Sequence, residues 1–496
     1  MANFFVQNFG CRATQADGAA IERQFEELGL SCSPADVADV VVLNTCTVTA
    51  AADQDARAAI RRVRRHNPAA KLIVTGCYAQ RAPDEIAALP GVTAVVGNSH
   101  KHRLAEIAAA QLWAGDQLGP RKATFVSIES LLSNGGAARR ERAVFVSDIF
   151  AHTELLAAPV FEASARGGSR TRPTLKIQDG CDNRCSFCVI PSVRGQSRSL
   201  RTAEIIAEVR ALVAAGYREI VLSGINLGRW GRDLPASRDE AGTFASLLPK
   251  ILAETSIEKI RISSVEPMDW SDALIALVAS SARIAKHAHV PLQSGSDAVL
   301  RRMHRKYRPW HYREKIEKIR AAMPDAAIGA DVMVGFPGET AAEFDQTRRL
   351  IEELPFTYLH VFTYSPRPGT PAEAMPEQVP VHVVRERNRI LRELGAEKHT
   401  AFLRSFVGTQ LEAITLAGEG RGWDEGTDAL TDNFLKLRLE GQHDSNRWVR
   451  ADITGISGDS LAGREVTGAA RNSCEEIAPG VGNSFKLSQS QLRSRP

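Results

Sequence analysis

Nothing in these 496 residues approaches the roughly 18 consecutive apolar residues that a membrane-crossing helix needs, which excludes a helical membrane protein. An excess of one charge is also missing. The chain has 62 Lys and Arg against 58 Asp and Glu, and a net +4 decides nothing about a polyanionic partner. The opening "MANFFVQNFGC" lacks the basic stretch and long apolar core of a signal peptide, so a cytoplasmic protein without a membrane partner is expected. Cysteine is sparse, at eight residues. In a reducing compartment these are expected to bind metal or do chemistry rather than pair as disulfides. What remains is ordinary: 44% hydrophobic and 24% charged residues, enough for several cores. The length corresponds to about three domains of roughly 100–200 residues each.

The first hundred residues alternate strand and helix signals. The runs "FFVQNF", "DVADVVVLNT" and "AKLIVTG" end at Cys11, Cys46 and Cys77, with helical periodicity between them. This order predicts a doubly wound parallel sheet over 1–110. Residues 111–171, with "SNGGAARRER" and "SARGGSRTRP", read as a connection with some local structure. From 172 to 405 six strand candidates alternate with helices: "TLKIQDG", "EIVLSGIN", "KIRISSVE", "HAHVPLQ", "IGADVMVGFP" and "YLHVFTYSP". Six units in this length predict a partial (βα)6 barrel. Residues 406–467 switch to period two, as in a small antiparallel β-barrel, and 468–496 read as a disordered tail.

Cys181, Cys185 and Cys188 stand in "CDNRCSFC", directly after the first barrel strand. A structural zinc site normally takes four protein ligands, and no fourth Cys or His lies nearby in sequence. Three thiolates fit a [4Fe–4S] cluster with one iron left open to a cofactor. A defective zinc knuckle is the bland alternative. Cys11, Cys46 and Cys77 each follow a strand of one parallel sheet, so residues distant in sequence meet at one crevice. Each lies beside Gly10, Thr45 or Gly76, small or turn-forming residues that let backbone come close to a bulky ligand. This placement predicts a second open-iron cluster, against the alternative of inert buried cysteines. Cys32 and Cys474 share no such pattern and read as structural or incidental.

"CDNRCSFC" after "LKIQDG" resembles the CxxxCxxC signature of the radical S-adenosylmethionine methylthiotransferases. The resemblance continues in "VIPSVRGQSRS", "VPLQSGSDAVLRRMHRKY", "DVMVGFPGET" and "YSPRPGTPA", and in "NTCTVT", "VTGCYAQ" and "VVGN" of the first domain. "NTCTVT" and "SGINLG" look most like the branch acting on N6-threonylcarbamoyladenosine in tRNA, and the last domain is similar to the RNA-binding TRAM barrel. The resemblance implies S-adenosylmethionine chelated at the open iron of the Cys181/Cys185/Cys188 cluster. Its reductive cleavage gives a radical that takes hydrogen from C2 of the adenine. The Cys11/Cys46/Cys77 cluster would present the sulfur, and a second S-adenosylmethionine the methyl group. The protein's part is to position the reactive atoms and exclude water. One departure is Thr14, where the family commonly has Asn.

Four further residues are expected at the cofactor. Phe187, inside the cysteine loop, could lie against its adenine or simply pack. Gly224 ends a strand where backbone could approach the methionyl group. Glu266 and Gln293 stand at strand ends, where barrel ligand contacts gather and where capping residues also occur. Two basic runs are candidate RNA surfaces. "RAAIRRVRRH" (57–66) holds five Arg, and 301–320 holds nine Lys/Arg interleaved with Tyr307, Trp310 and Tyr312. Lys436, Arg438, Arg447, Arg450 and Phe434 extend this to the last domain; solvated helix faces and core packing are the plain alternatives. The expected partners of a monomer are the tRNA anticodon arm, an external electron donor and a sulfur source. Alternatives are methylthiolation of isopentenyladenosine in tRNA or of a ribosomal-protein aspartate, and a non-enzymatic iron–sulfur RNA-binding protein.

Overall fold

Strands buried on both faces are apolar at successive positions, and this is what "VVVLN" shows. In the computed structural model, which describes residues 2–113, 143–152, 155, 171–235, 242–417 and 426–466, these residues form the centre of a six-stranded sheet. Its strands are β1 (Asn3–Asn8), β2 (Ser31–Cys32), β3 (Val40–Thr45), β4 (Lys71–Gly76), β5 (Val92–Val96) and β6 (Ala143–Phe145). All are parallel, in the order β2-β1-β3-β4-β5-β6. Val40 and Val42 face helices α1 (Arg12–Glu27) and α5 (Leu104–Trp113), through Ile21, Phe25 and Leu104. Val41 and Leu43 face α2 (Ala50–His66), through Ile60 and Val63. Helices α3 (Cys77–Arg81) and α4 (Pro83–Ala87) follow β4. The winding is therefore double, as the alternation predicts. The connection contributes more than expected: β6 adds the sixth strand beside β5. Three residues are too short a run to carry a periodicity.

The central region opens with β7 (Thr174–Asp179), α6 (Ile190–Arg194) and the short β8 (Arg198–Ser199). Then come α7 (Thr202–Ala214), β9 (Glu219–Gly224), α8 (Phe244–Glu254), β10 (Lys259–Ile262), α9 (Asp272–Ser280) and β11 (His287–His289). The last part holds α10 (Asp297–Arg302), α11 (Pro309–Ala322), β12 (Ala327–Val334), α12 (Ala341–Glu353), β13 (Tyr358–Thr363) and α13 (Val381–Arg404). Parallel pairing runs β7-β9-β10 and β11-β12-β13, and parallel bridges Ile260–Ile284 and Ser264–His289 join the halves. Six parallel strands thus curve into the predicted partial barrel. Alternate residues such as Ile220, Leu222, Ile260, Ile328 and Val332 pack outward against the helices. The residues between them, among them Lys176, Glu219, Arg261, His287, Asp331 and Tyr358, face the lumen. Helix α1 lies against β7 and β9, where Asp17 pairs with Lys176.

The last five strands are β14 (Gln410–Thr415), β15 (Thr427–Thr431), β16 (Lys436–Leu439), β17 (Trp448–Ser457) and β18 (Ser460–Glu465). They close in the order β14-β15-β16-β18-β17. One correction applies to the antiparallel expectation: β16 and β18 pair in parallel, because β17 returns the chain before β18 closes the barrel. The tail expectation and Cys474 lie outside the described residues. No described helix is long and apolar enough to cross a membrane.

Candidate functional site

Cys181, Cys185 and Cys188 occupy the loop between β7 and α6. The loop is tight: a Cβ on Gly180 (φ +70) would sit 1.8 Å from the Gln196 carbonyl oxygen. The Cys181 N–H donates to Gly195 O at 3.0 Å, and the Cys188 N–H to Cys185 O at 3.1 Å. Burial pushes the Cys181 thiol up to about 11 and the Cys188 thiol to about 12. Without a nearby positive charge these two groups stay neutral thiols. Arg305 supplies part of that charge: its Nη1 donates to Cys185 Sγ at 3.3 Å and its Nη2 to Glu266. Tyr307, donating to the carbonyls of Pro291 and Leu292, accepts from Arg305 Nε at 3.2 Å. Cys185, Glu266 and Arg305 line a small open cleft together with Asn183 and Arg229.

The second trio forms at the turning point of the first sheet. The chain leaves β1 towards β2 on one side and returns to β3 on the other, so a crevice opens beyond the carboxyl ends of β1 and β3. Cys11 caps α1 after β1, Cys46 follows β3, and Cys77 opens α3 after β4. Gly10 has φ +97, and a Cβ there would lie 2.6 Å from Cys46 Cβ and 2.8 Å from its Sγ. Burial first, and then neighbouring Cys77, push the Cys46 thiol up to about 11. Asn98 Nδ2 donates to Cys77 Sγ at 3.6 Å, and the Thr14 hydroxyl lies 3.6 Å from Cys11 Sγ. Gly10→Ala is expected to strain the turn and displace Cys46. An iron assay of reconstituted protein should then find about half the wild-type content; full content would refute the argument.

A buried ionic network joins the two trios. Arg194, at the end of α6, donates to both oxygens of Asp179 at 3.0 Å and to Asp17 Oδ2 at 3.0 Å. Lys101 reaches Asp17 at 2.9 Å, and Lys176 binds Asp17 and, at 2.9 Å, Asp179. Arg194 also sends Nη2 to the Thr14 hydroxyl at 3.4 Å. Cys77 packs against Val189 and Val193, in the stretch that follows Cys188 directly. Asn98 Nδ2 reaches Val193 O at 2.7 Å. Arg194, Arg305, Asp17, Lys101 and Lys176 were not anticipated. Arg194, Arg305 and Lys176 stand inside the quoted "VIPSVRGQSRS", "RRMHRKY" and "LKIQDG", the one signal that could have found them.

The other expected residues divide. Glu266 does meet the first cysteine trio, through Arg305; burial raises its pKa although Arg305 opposes this. At Gly224 a Cβ would lie 2.6 Å from Gln178 Cβ on the neighbouring strand, so the strand pairing itself calls for glycine there. Phe187 packs with Met303 and Phe336. Gln293 takes φ +62 in the segment beyond the end of β11, with its backbone tied to Asp331 and Met333.

The RNA-facing expectations need correction. Tyr307 and Tyr312 are core residues, at 1% and 0% exposure, and cannot stack on a base; Trp310 is exposed. Most cations of 301–320 are paired: Arg302 with Glu343, Arg308 with Asp297, Arg313 with Glu353 and Lys318 with Asp272. Phe434 packs on His287 at 4.3 Å between ring centres rather than projecting outward. Lys436, Arg438 and Arg447 pair with Asp459, Asp428 and Glu465. By contrast, Arg61, Arg62, Arg64 and Arg65 of α2 are exposed, with no carboxylate partner among the described residues.

A partial (βα)6 barrel with three cysteines after its first strand defines a radical S-adenosylmethionine protein, and residues 175–351 match the radical SAM superfamily. Residues 3–97 match the uncharacterized protein family UPF0004. The threonylcarbamoyladenosine tRNA methylthiotransferase MtaB of Aquifex aeolicus is 35% identical over 451 residues, 90% of this chain and 99% of that protein. The enzyme of the same name from Bacillus subtilis is 36% identical, over 90% of this chain and 92% of its own length. The tRNA-2-methylthio-N(6)-dimethylallyladenosine synthase of Frankia casuarinae is 35% identical, over 97% of this chain and 82% of its own. A solved structure of the radical methyltransferase TsrM from Kitasatospora setae shares the fold, with a TM-score of 0.50 at 15% identity over 75% and 74% of the chains. The chain belongs to the radical S-adenosylmethionine methylthiotransferases and is an enzyme.

Proposed function

We propose that this enzyme adds a methylthio group to C2 of N6-threonylcarbamoyladenosine, next to the anticodon of tRNA. Cys181, Cys185 and Cys188 would hold one [4Fe–4S] cluster, and Cys11, Cys46 and Cys77 a second. The donor sets suit this, since each is a trio of thiols with a guanidinium close by, Arg305 on Cys185 Sγ and Arg194 on the Thr14 hydroxyl beside Cys11. When bound, the first cluster with S-adenosylmethionine supplies radical chemistry and the second supplies sulfur. The observation that carries the reading is the shared wall: Cys77 packs on the helix that follows the first trio, and Arg194 reaches from that helix to the second. Two sites built against one wall can address one substrate atom.

The chain's own residues hold the arrangement. Arg305 fixes Cys185 to Glu266, and the Arg194 network keeps the two cysteine regions in register. The barrel lumen excludes water around the target base. The exposed arginines of α2 would take backbone phosphates of the anticodon arm. An external reductant and sulfur source complete the balance, and the enzyme acts as a cytoplasmic monomer.

The test is mass spectrometry of tRNA nucleosides from a strain lacking the protein. Disappearance of the methylthio-threonylcarbamoyl nucleoside, restored by the gene, is the expected result. Disappearance of the isopentenyl counterpart instead would establish the second reading, which the Frankia casuarinae relative supports by matching 97% of this chain.

A further inference from the structure

Three neighbouring strands place two imidazoles and a carboxylate on one stretch of the lumen wall. His289 closes β11, Asp331 lies within β12, and His360 pairs in register with Asp331 from β13. Asp331 Oδ1 lies 3.2 Å from His289 Nε2 and 3.3 Å from His360 Nδ1. Behind them, Tyr358 Oη lies 3.0 Å from His289 Nδ1 and 2.7 Å from His287 Nε2. Exposure grades along the group: His287 and His289 are buried, the Asp331 side chain is 26% exposed and that of His360 is 53% exposed. The group is anchored at its back and open at its front.

The group stands beside the first cysteine region. The His289 carbonyl accepts from Val265 N–H at 3.1 Å, and the next residue, Glu266, binds Arg305, which donates to Cys185 Sγ.

We propose that Asp331 and His360, oriented by His289, bind the N6 substituent of the target adenosine and select a polar hydroxy-acid substituent over an apolar alkenyl one. The proposal rests on the tRNA reading above. Both ring nitrogens of His289 are engaged, by Asp331 and by Tyr358, so it positions Asp331 and does not touch the substrate. A threonylcarbamoyl group offers N–H and O–H donors to Asp331, and its carboxylate accepts from Nε2–H of His360, whose Nδ1 stays on Asp331. An alkenyl chain would strip water from the same two side chains and return no hydrogen bond. Sites built to bind a polar substrate group can reject analogues lacking it by about 10⁴-fold. With His360 open to solvent, roughly tenfold to a hundredfold is expected from this residue.

The experiment uses reconstituted full-length enzyme and two anticodon stem-loop RNAs, one threonylcarbamoylated and one isopentenylated at N6. Wild type should favour the first. His360→Phe should lower kcat/KM on it by about tenfold or more, chiefly through KM, and shrink the ratio between the two substrates, while His360→Gln retains most of that ratio. Iron content serves as the control for folding, and Asp331→Asn provides the ratio should the Phe variant lose its iron. An unchanged ratio in an iron-replete variant overturns the inference. So does a stoichiometric divalent metal that wild type holds and the variants lose while discrimination persists. A wild type that favours the isopentenyl RNA overturns the substrate reading itself, a separate result.

Discussion

Cys181→Ala is expected to lose about half of the iron of the reconstituted protein and all formation of 5′-deoxyadenosine. Wild type should carry about eight iron per chain, from two four-iron clusters. Glu266, the carboxylate that lines the cleft beside Cys185, is already committed to Arg305 and is a poor substitute ligand. Cys46→Ala should also halve the iron yet retain cleavage of S-adenosylmethionine, because its strand end serves the other trio. Iron assay and chromatography of the dithionite-reduced reaction distinguish the two variants. Zinc in place of iron in the wild type would refute the assignment.

The second large effect is on stability. Arg194→Met leaves Asp17 and Asp179 buried without their shared guanidinium, and breaking a buried ionic network by removing one partner costs about 3–5 kcal/mol. A lower denaturation midpoint of the full chain is the readout. The variant should also be more sensitive to acid. Burial alone would raise the pKa of Asp17, but Lys101, Lys176 and Arg194 together hold it well below the usual carboxylate range. A depressed folded value contributes stability above the unfolded pKa of about 3.9. That contribution is lost as pH falls through the folded value. Wild type should therefore resist acid further than Arg194→Met does, and equal acid midpoints would count against the network.

The parts legible in the sequence were those that repeat or cluster. The six barrel strands announce themselves as apolar runs between helices, and "CDNRCSFC" is local. The second trio was legible because each cysteine ends such a run. Pairings across great sequence distance were not. Asp17 meets Arg194 and Lys176 because α1 lies against β7, and nothing in the spacing of the chain shows that contact. Short strands such as β2, β6 and β8 carry too few residues to show a period. Tyr312 belongs to a pattern the sequence does carry: Tyr312, Ile316 and Ile319 follow helical spacing and form the buried stripe of α11. The charges around them are solvated or paired neighbours, not a cationic groove.

Phe434 on His287 has an experimental consequence. The turn that carries it is tied to the central barrel by Lys259 to Asp432 at 2.9 Å. Arg261 also donates to the carbonyls of Thr431 at 3.2 Å and Asp432 at 3.0 Å. Cutting the chain after α13 would take the carboxylate from Lys259 and two carbonyl acceptors from Arg261, on β10, the strand bridged to the segment that leads into β11. A truncated enzyme that fails on tRNA would then report a damaged lumen as readily as a missing RNA contact. The RNA role of the terminal barrel is better probed by changing its outward residues, such as Arg450, with the docking turn left whole.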